Sequence, residues 1–346
     1  MSDFALAWNP KKQTIMKYIY ILFLLFLFGC SQKEKNIPTK SIFLNSESLS
    51  DDMIGMPLQI LTYDSLLYIN DFYGDSLVHC YSLRNKKLLT KIGVKGNGPN
   101  ELLSPLYLFI QEDSLCLFSR PQQTLYKTSF RTDSVELHKN IRVPQEVSLL
   151  FPLTDSMYVC SGMFQDYRFM VLNAKGEIIS KFGNYPMFWH KEHDLSIDVK
   201  RMFHQIRGYA YSKDQGLAMV DSHTLSIYDH DEKGNFILKK EILLSPYEYE
   251  YTDKGISSRV SLSPSFISGA KDLAILDSCI YILMDVNIKR NKEKKKKEIW
   301  KFDWNGNLLC KYIPNIDISH MANVYDKQII LLTNDEKAQI ATWKGE

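Results

Sequence analysis

The sequence is poor in the features that mark most enzymes and disulfide-stapled secreted domains. Its six cysteines contain no C-x-x-C pair, which excludes zinc ribbons and thioredoxin-type redox motifs. There is no Gly-x-Ser-x-Gly elbow, no glycine-rich loop ending in Gly-Lys-Ser/Thr, and no His-Glu-x-x-His. Stretches with a helical period are almost absent. Neither charge sign prevails: the formal net charge is +2, and beyond residue 29 there are 39 basic and 39 acidic groups. That balance gives no electrostatic argument for a nucleic-acid partner. What is present, 45% hydrophobic, 12% aromatic and 24% charged residues, is the composition of a folded globular chain rather than a disordered or collagenous one.

Long apolar runs are missing except for one, Tyr18 to Phe28, preceded by Lys17. Eleven residues at about 1.5 Å each fall well short of a hydrocarbon core of about 30 Å. A short apolar region behind a basic residue therefore reads as a secretory signal over residues 1–29, with Met16 the expected start and residues 1–15 an upstream extension. The run ends Leu27-Phe28-Gly29-Cys30, followed by polar Ser31–Lys35, and this resembles the bacterial lipoprotein box. The resemblance implies that Cys30 is lipidated and becomes the first mature residue, with 30–39 a lipidated linker and the membrane a partner through the anchor. Phe28 is bulkier than the pattern usually allows. The other cysteines, Cys80, Cys116, Cys160, Cys279 and Cys310, each sit in apolar strand-like runs and read as small buried hydrophobes.

From residue 40 onward the chain is a series of short β-type runs. Six times a turn containing aspartate precedes an apolar run, at Asp64, Asp113, Asp155, Asp214, Asp277 and Asp326, with spacings of 49, 42, 59, 63 and 49. Periods of this length holding several strands each signal propeller blades. Aspartate suits such corners because its side chain can bond the backbone two residues on. Residues 40–346 are thus expected to form one all-β, six-bladed β-propeller of four-stranded blades, about 51 residues each. The sixth unit has only three strands before the chain stops, so Lys40–Leu44 is expected to complete the last blade and close the ring.

The segment Lys91-Ile92-Gly93-Val94-Lys95-Gly96-Asn97-Gly98-Pro99-Asn100-Glu101-Leu102-Leu103-Ser104-Pro105 resembles the blade junction of NHL-type propellers. More closely, it is similar to the G-x-G-P-x-E-hydrophobic signature of TolB-like six-bladed propeller lipoproteins. The resemblance implies a fold and an envelope location, and it carries over no catalytic residue. A phosphate loop is the competing reading of Gly93–Gly98, but no helix follows to offer its N-terminus.

Two long excursions interrupt the repeat. Tyr185–Gly208 holds Trp189, His190 and His193 and one short helical pattern, Leu195 to Ile206. His190 and His193 could share a helix face, yet no third metal ligand stands at fixed spacing, so no metal or cofactor is expected. Ser245–Gly269 carries alternating Tyr247, Tyr249 and Tyr251, the pattern of one face of an extra strand. Both connect an outer strand to the next inner one, so Trp189, His190, His193, Tyr247 and Tyr249 are the candidates to wall a ligand cleft at the channel mouth. The basic run Lys289–Lys297 falls between the second and third strands of the fifth blade and reads as a solvated hairpin tip.

The resulting expectation is a non-enzymatic binding or scaffolding module of the bacterial envelope, anchored in the outer membrane, whose partner is an envelope protein or a glycan at the channel mouth. The alternative is a metal-dependent envelope hydrolase or lyase acting on a glycan or peptide, an analogy at the level of fold alone.

Overall fold

In the computed structural model the described residues are 36–50, 54–131, 134–188, 195–231, 235–246, 249–253, 258–262, 267–288, 297–324, 327–333 and 337–345. Two short strands, β1 (Thr39–Ile42) and β2 (Ser46–Ser48), come first, and six antiparallel sheets then follow in chain order. The first blade is β3 (Pro57–Tyr63), β4 (Leu66–Asp71), β5 (Ser76–Ser82) and β6 (Leu88–Val94). The second is β7 (Leu106–Gln111), β8 (Ser114–Ser119), β9 (Thr124–Arg131) and β10 (Ser134–Arg142). The third is β11 (Val147–Thr154), β12 (Met157–Gly162), β13 (Phe169–Asn173) and β14 (Ile178–Phe182). A helix, α1 (Ile197–Phe203), leads to the fourth: β15 (Ile206–Ser212), β16 (Gly216–Asp221), β17 (Thr224–His230) and β18 (Phe236–Leu243). A separate hairpin, β19 (Tyr249–Asp253) and β20 (Ser258–Leu262), precedes the fifth: β21 (Ile267–Leu276), β22 (Cys279–Ile288), β23 (Lys297–Phe302) and β24 (Leu308–Pro314). The sixth holds β25 (Ile318–Val324), β26 (Gln328–Thr333) and β27 (Gln339–Trp343). The six-bladed, all-β propeller read from the repeat is the fold.

The second strand of each blade explains why the repeat is legible. β4, β8, β12, β16, β22 and β26 are buried along nearly their whole length, because neighbouring blades cover both of their faces. Alternation then splits each strand between two apolar layers. Leu67 and Ile69 pack with Ile330 and Leu332 of the sixth blade, whereas Tyr68 packs with Leu106 and Leu108 of the second. Ile280 and Ile282 face the fourth blade, and Tyr281 and Leu283 face the sixth. The described core is therefore six apolar layers, one between each adjacent pair of blades. At about 25 cal/mol per Å², burying these layers is the main force holding the ring.

The aspartate corners at Asp64, Asp113, Asp155, Asp214 and Asp277 join the first strand of a blade to the second, and Asp326 lies outside the described residues. Asp64, Asp113 and Asp277 take positive φ values of 51°, 55° and 48°, a region where a short side chain that can bond locally is tolerated. The junction glycines form a turn between blades. Gly98 N donates to Glu101 Oε2 at 2.7 Å, and the carboxylate lies so close to Gly96 that a Cβ there would collide with it. The five cysteines from Cys80 onward are free thiols, four of them buried and Cys279 half-buried.

Ring closure differs from expectation in one detail. Thr39–Ile42 does not complete the sixth blade; it runs parallel to β24 as a fifth strand on the outer edge of the fifth. Leu44 then drops into the apolar layer between blades five and six, pinned by Asn315, whose Oδ1 accepts from Leu44 N at 2.7 Å. Only beyond it does β2 pair antiparallel with β27 and supply the missing fourth strand.

Candidate binding site at the channel mouth

The six first strands surround a central channel of about 470 Å³, lined by residues from Gln59, Tyr107, Leu150, Tyr209, Asp272 and His320 outward. Polar side chains here serve the backbone of neighbouring blades. Gln59 both donates to Leu108 O and accepts from Leu108 N at 2.8 Å, and Asn323 Oδ1 accepts from Ile275 N at 2.6 Å. Asp272 accepts from Met321 N at 3.0 Å and from Leu273 N at 2.8 Å. Burial pushes its carboxyl up to about 7, against the pull of those two donors. His320, on the neighbouring first strand β25, is pulled down to about 4 by burial.

Second strands end, and first strands begin, at the same end of this channel, so the connections between blades gather there. The last residues of β4, β8 and β16 have a common task. Asp71 accepts from the amides of Gly55, Met56 and Tyr73, and Ser119 Oγ donates to Leu103 O. Each ties a second strand to the segment that enters its own blade. In the fourth blade this position has become the centre of a buried charge network. Asp221 accepts from His223 N and Thr224 N at 2.7 Å and from Thr224 Oγ1 at 2.6 Å. It also accepts from Arg168 Nη2 of the third blade, and His204 Nδ1 lies 2.9 Å away. Burial alone would raise the Asp221 carboxyl, but Arg168 and His204 override it and hold it well below the usual carboxylate range. His223, whose Nδ1 is 3.0 Å from Ser245 Oγ, is pulled down to about 4 by burial.

Beside this network a small cavity of about 80 Å³ opens next to the channel mouth, sharing Tyr107, Leu149, Ile206 and Arg207 with the channel lining. Arg120, Arg168, Arg201 and Arg207 line it together with His204 and Tyr185, and among the described residues no carboxylate does. Arg201 projects from α1, where its Nε donates to Phe164 O at 2.8 Å and its Nη1 to Asp198 Oδ1 at 2.8 Å. Arg168 Nη1 donates to Ser226 Oγ at 3.2 Å. One atom of each buried guanidinium, Arg201 Nη2 and Arg168 Nε, has no hydrogen-bond partner among the described residues. Tyr185 stands beside them, its hydroxyl 3.4 Å from Phe164 O and its ionisation pushed up by burial. Arg120 and Arg207 are exposed at the rim.

Of the residues expected at the mouth, Trp189, His190, His193 and Tyr247 lie outside the described residues, as does Cys30. Tyr249 opens the hairpin strand β19, opposite Leu262, in keeping with the extra-strand reading of its alternating tyrosines. Among the described residues of the excursion before β15, Tyr185, Arg201, His204 and Gln205 line the mouth. Sequence reasoning passed over these arginines because they are scattered singly. One signal was available: the chain has nine arginines among 42 basic residues, and four of the nine converge here. Among the described residues no three His, Cys, Asp or Glu side chains gather as a metal-ligand set.

A family described as TolB-like 6-blade propeller-like matches residues 28–324. Among solved structures, a protein described as exported, from Bacteroides fragilis, is 13% identical with a TM-score of 0.56, covering 87% of this chain and 94% of its own. A member of the DUF4221 family from Bacteroides vulgatus is 10% identical with a TM-score of 0.57, covering 90% and 98%. At these identities the likeness is one of fold. No curated protein matches the chain.

Proposed function

Since the chain belongs to the TolB-like six-bladed propeller family, we propose that it is an exported, lipid-anchored propeller that binds an envelope ligand at its channel mouth without transforming it. The observation that carries this reading is the cationic cavity at the mouth. Its donors are guanidinia held by Asp221, Asp198 and backbone carbonyls, groups that recognise an anion without supplying a nucleophile. A rigid ring presenting such groups beside its axis is suited to selecting a ligand. The lipoprotein-like box ending at Cys30 and the exported relative support an envelope location.

Two measurements test the proposal. Cys30→Ala should move the protein from the membrane to the soluble fraction, and a variant that stays membrane-bound would remove the anchor from the reading. The full chain, mixed with solubilised envelope polysaccharide and peptidoglycan fragments, should show slowed amide exchange at α1 and at the β12–β13 and β16–β17 ends. The ligand's mass should be unchanged. Conversion of a fragment to a new mass would favour the hydrolase or lyase alternative.

A further inference from the structure

We infer that the cavity between the third and fourth blades is a carboxylate-binding subsite, which seats the acidic end of a small organic acid. The inference rests on the binding-module reading and names the ligand's chemistry. Burying a polar N–H without an acceptor is costly, and a native fold retains few such groups. Here two occur together, on one guanidinium at the entry to β13 and one on helix α1, both lining the same cavity. Arg168 is 1% exposed and Arg201 8% exposed, so bulk water cannot satisfy them as it would on a surface. Asp221 cannot turn to serve them, because backbone and side-chain donors already engage both of its oxygens.

Charge points the same way. Arg168 is offset by Asp221 and Arg201 by Asp198, whereas Arg120 and Arg207 at the rim form no ion pair among the described residues. Among the described residues the pocket is therefore net positive. The planar fork of a guanidinium matches a carboxylate in geometry. Leu149, Met163 and Ile206 share the wall, giving apolar contact to the carbon atoms behind a carboxylate and nothing to an inorganic ion. A volume of about 80 Å³ admits the acidic end of a ligand and leaves the rest to lie toward the channel.

Isothermal titration of the full chain in detergent tests this, with succinate and hexanoate as probes and hexanamide, inorganic phosphate and sulfate as comparisons. The carboxylates should bind saturably, hexanamide should not, and phosphate and sulfate should bind more weakly. Arg201→Gln should weaken succinate about tenfold to a hundredfold, as expected for one charge-assisted hydrogen bond. Arg120→Gln, an exposed change that leaves the fold alone, should weaken it severalfold and flatten its salt dependence. Arg84→Gln, in the β5–β6 turn, should change neither. Absence of carboxylate binding up to ~10 mM, equal binding of hexanamide, or tighter binding of phosphate or sulfate would overturn the inference. So would succinate affinity unchanged in both Arg201→Gln and Arg120→Gln. If carboxylates fail while envelope fragments still slow exchange at the mouth, only this inference falls; if both fail, the binding-module reading falls too.

Discussion

At the scale of single residues, the most exacting arrangement is the ion pair between Arg168 and Asp221, both essentially without solvent exposure. Removing one member leaves an uncompensated buried charge, so Arg168→Met should lower unfolding free energy by about 3–5 kcal/mol in a denaturant titration. Titration of the channel groups makes a second prediction. Asp272, pushed up to about 7, keeps its proton in the folded state where the unfolded chain has lost it. Its contribution is therefore intact below about pH 4 and declines as pH rises toward 7. His320 and His223, pulled down to about 4, act oppositely: their contribution is present above about pH 6.5 and lost as pH falls to 4. Wild-type stability should thus rise from pH 4 to 6.5 and slacken toward neutrality. In Asp272→Asn the advantage over wild type should grow steadily from pH 4 to 7, as read from chemical denaturation at each pH. A difference independent of pH would contradict the assignment.

At the scale of elements, the second strands and their aspartate corners were legible because physics repeats there six times. Each such strand is covered on both faces, so its sequence must be continuously apolar, and the corner before it must turn tightly. The arginine cavity was not legible, since it is assembled from the entry to β13, the helix α1 and the first residues of β15, and no spacing along the chain marks that convergence. The closing strand was placed about five residues early: apolar Ile42 and Leu44 looked like a strand of the last blade, but they serve the fifth blade's edge and the layer beside it. The basic run before β23 does lie between β22 and β23, although 289–296 fall outside the described residues. The two strands are held by their own ladder down to the Asp285–Lys297 pair, where the side chains meet at 3.0 Å. Replacing 289–296 by a short Gly-Ser turn should therefore leave the melting temperature nearly unchanged, because loop length weighs little on stability. A drop of many degrees would mean that the run packs on the ring.

At the scale of the whole molecule, the propeller is held by six similar layers, and β2 completes its last blade by pairing with β27. Deleting residues 36–48 should lower the melting temperature and leave β27 as a bare edge. Size-exclusion chromatography should then show self-association, as expected when an unpaired strand is exposed. The same closure dictates the order of events in folding. Ser46 and Gln339, whose side chains meet at 2.6 Å across that seam, are 293 residues apart. A chain made from its N-terminus onward must hold its opening strand in reserve until nearly the last residue has arrived. Of the pairings that build the ring, this clasp between start and finish spans the greatest length of chain and so carries the largest loop-closure cost.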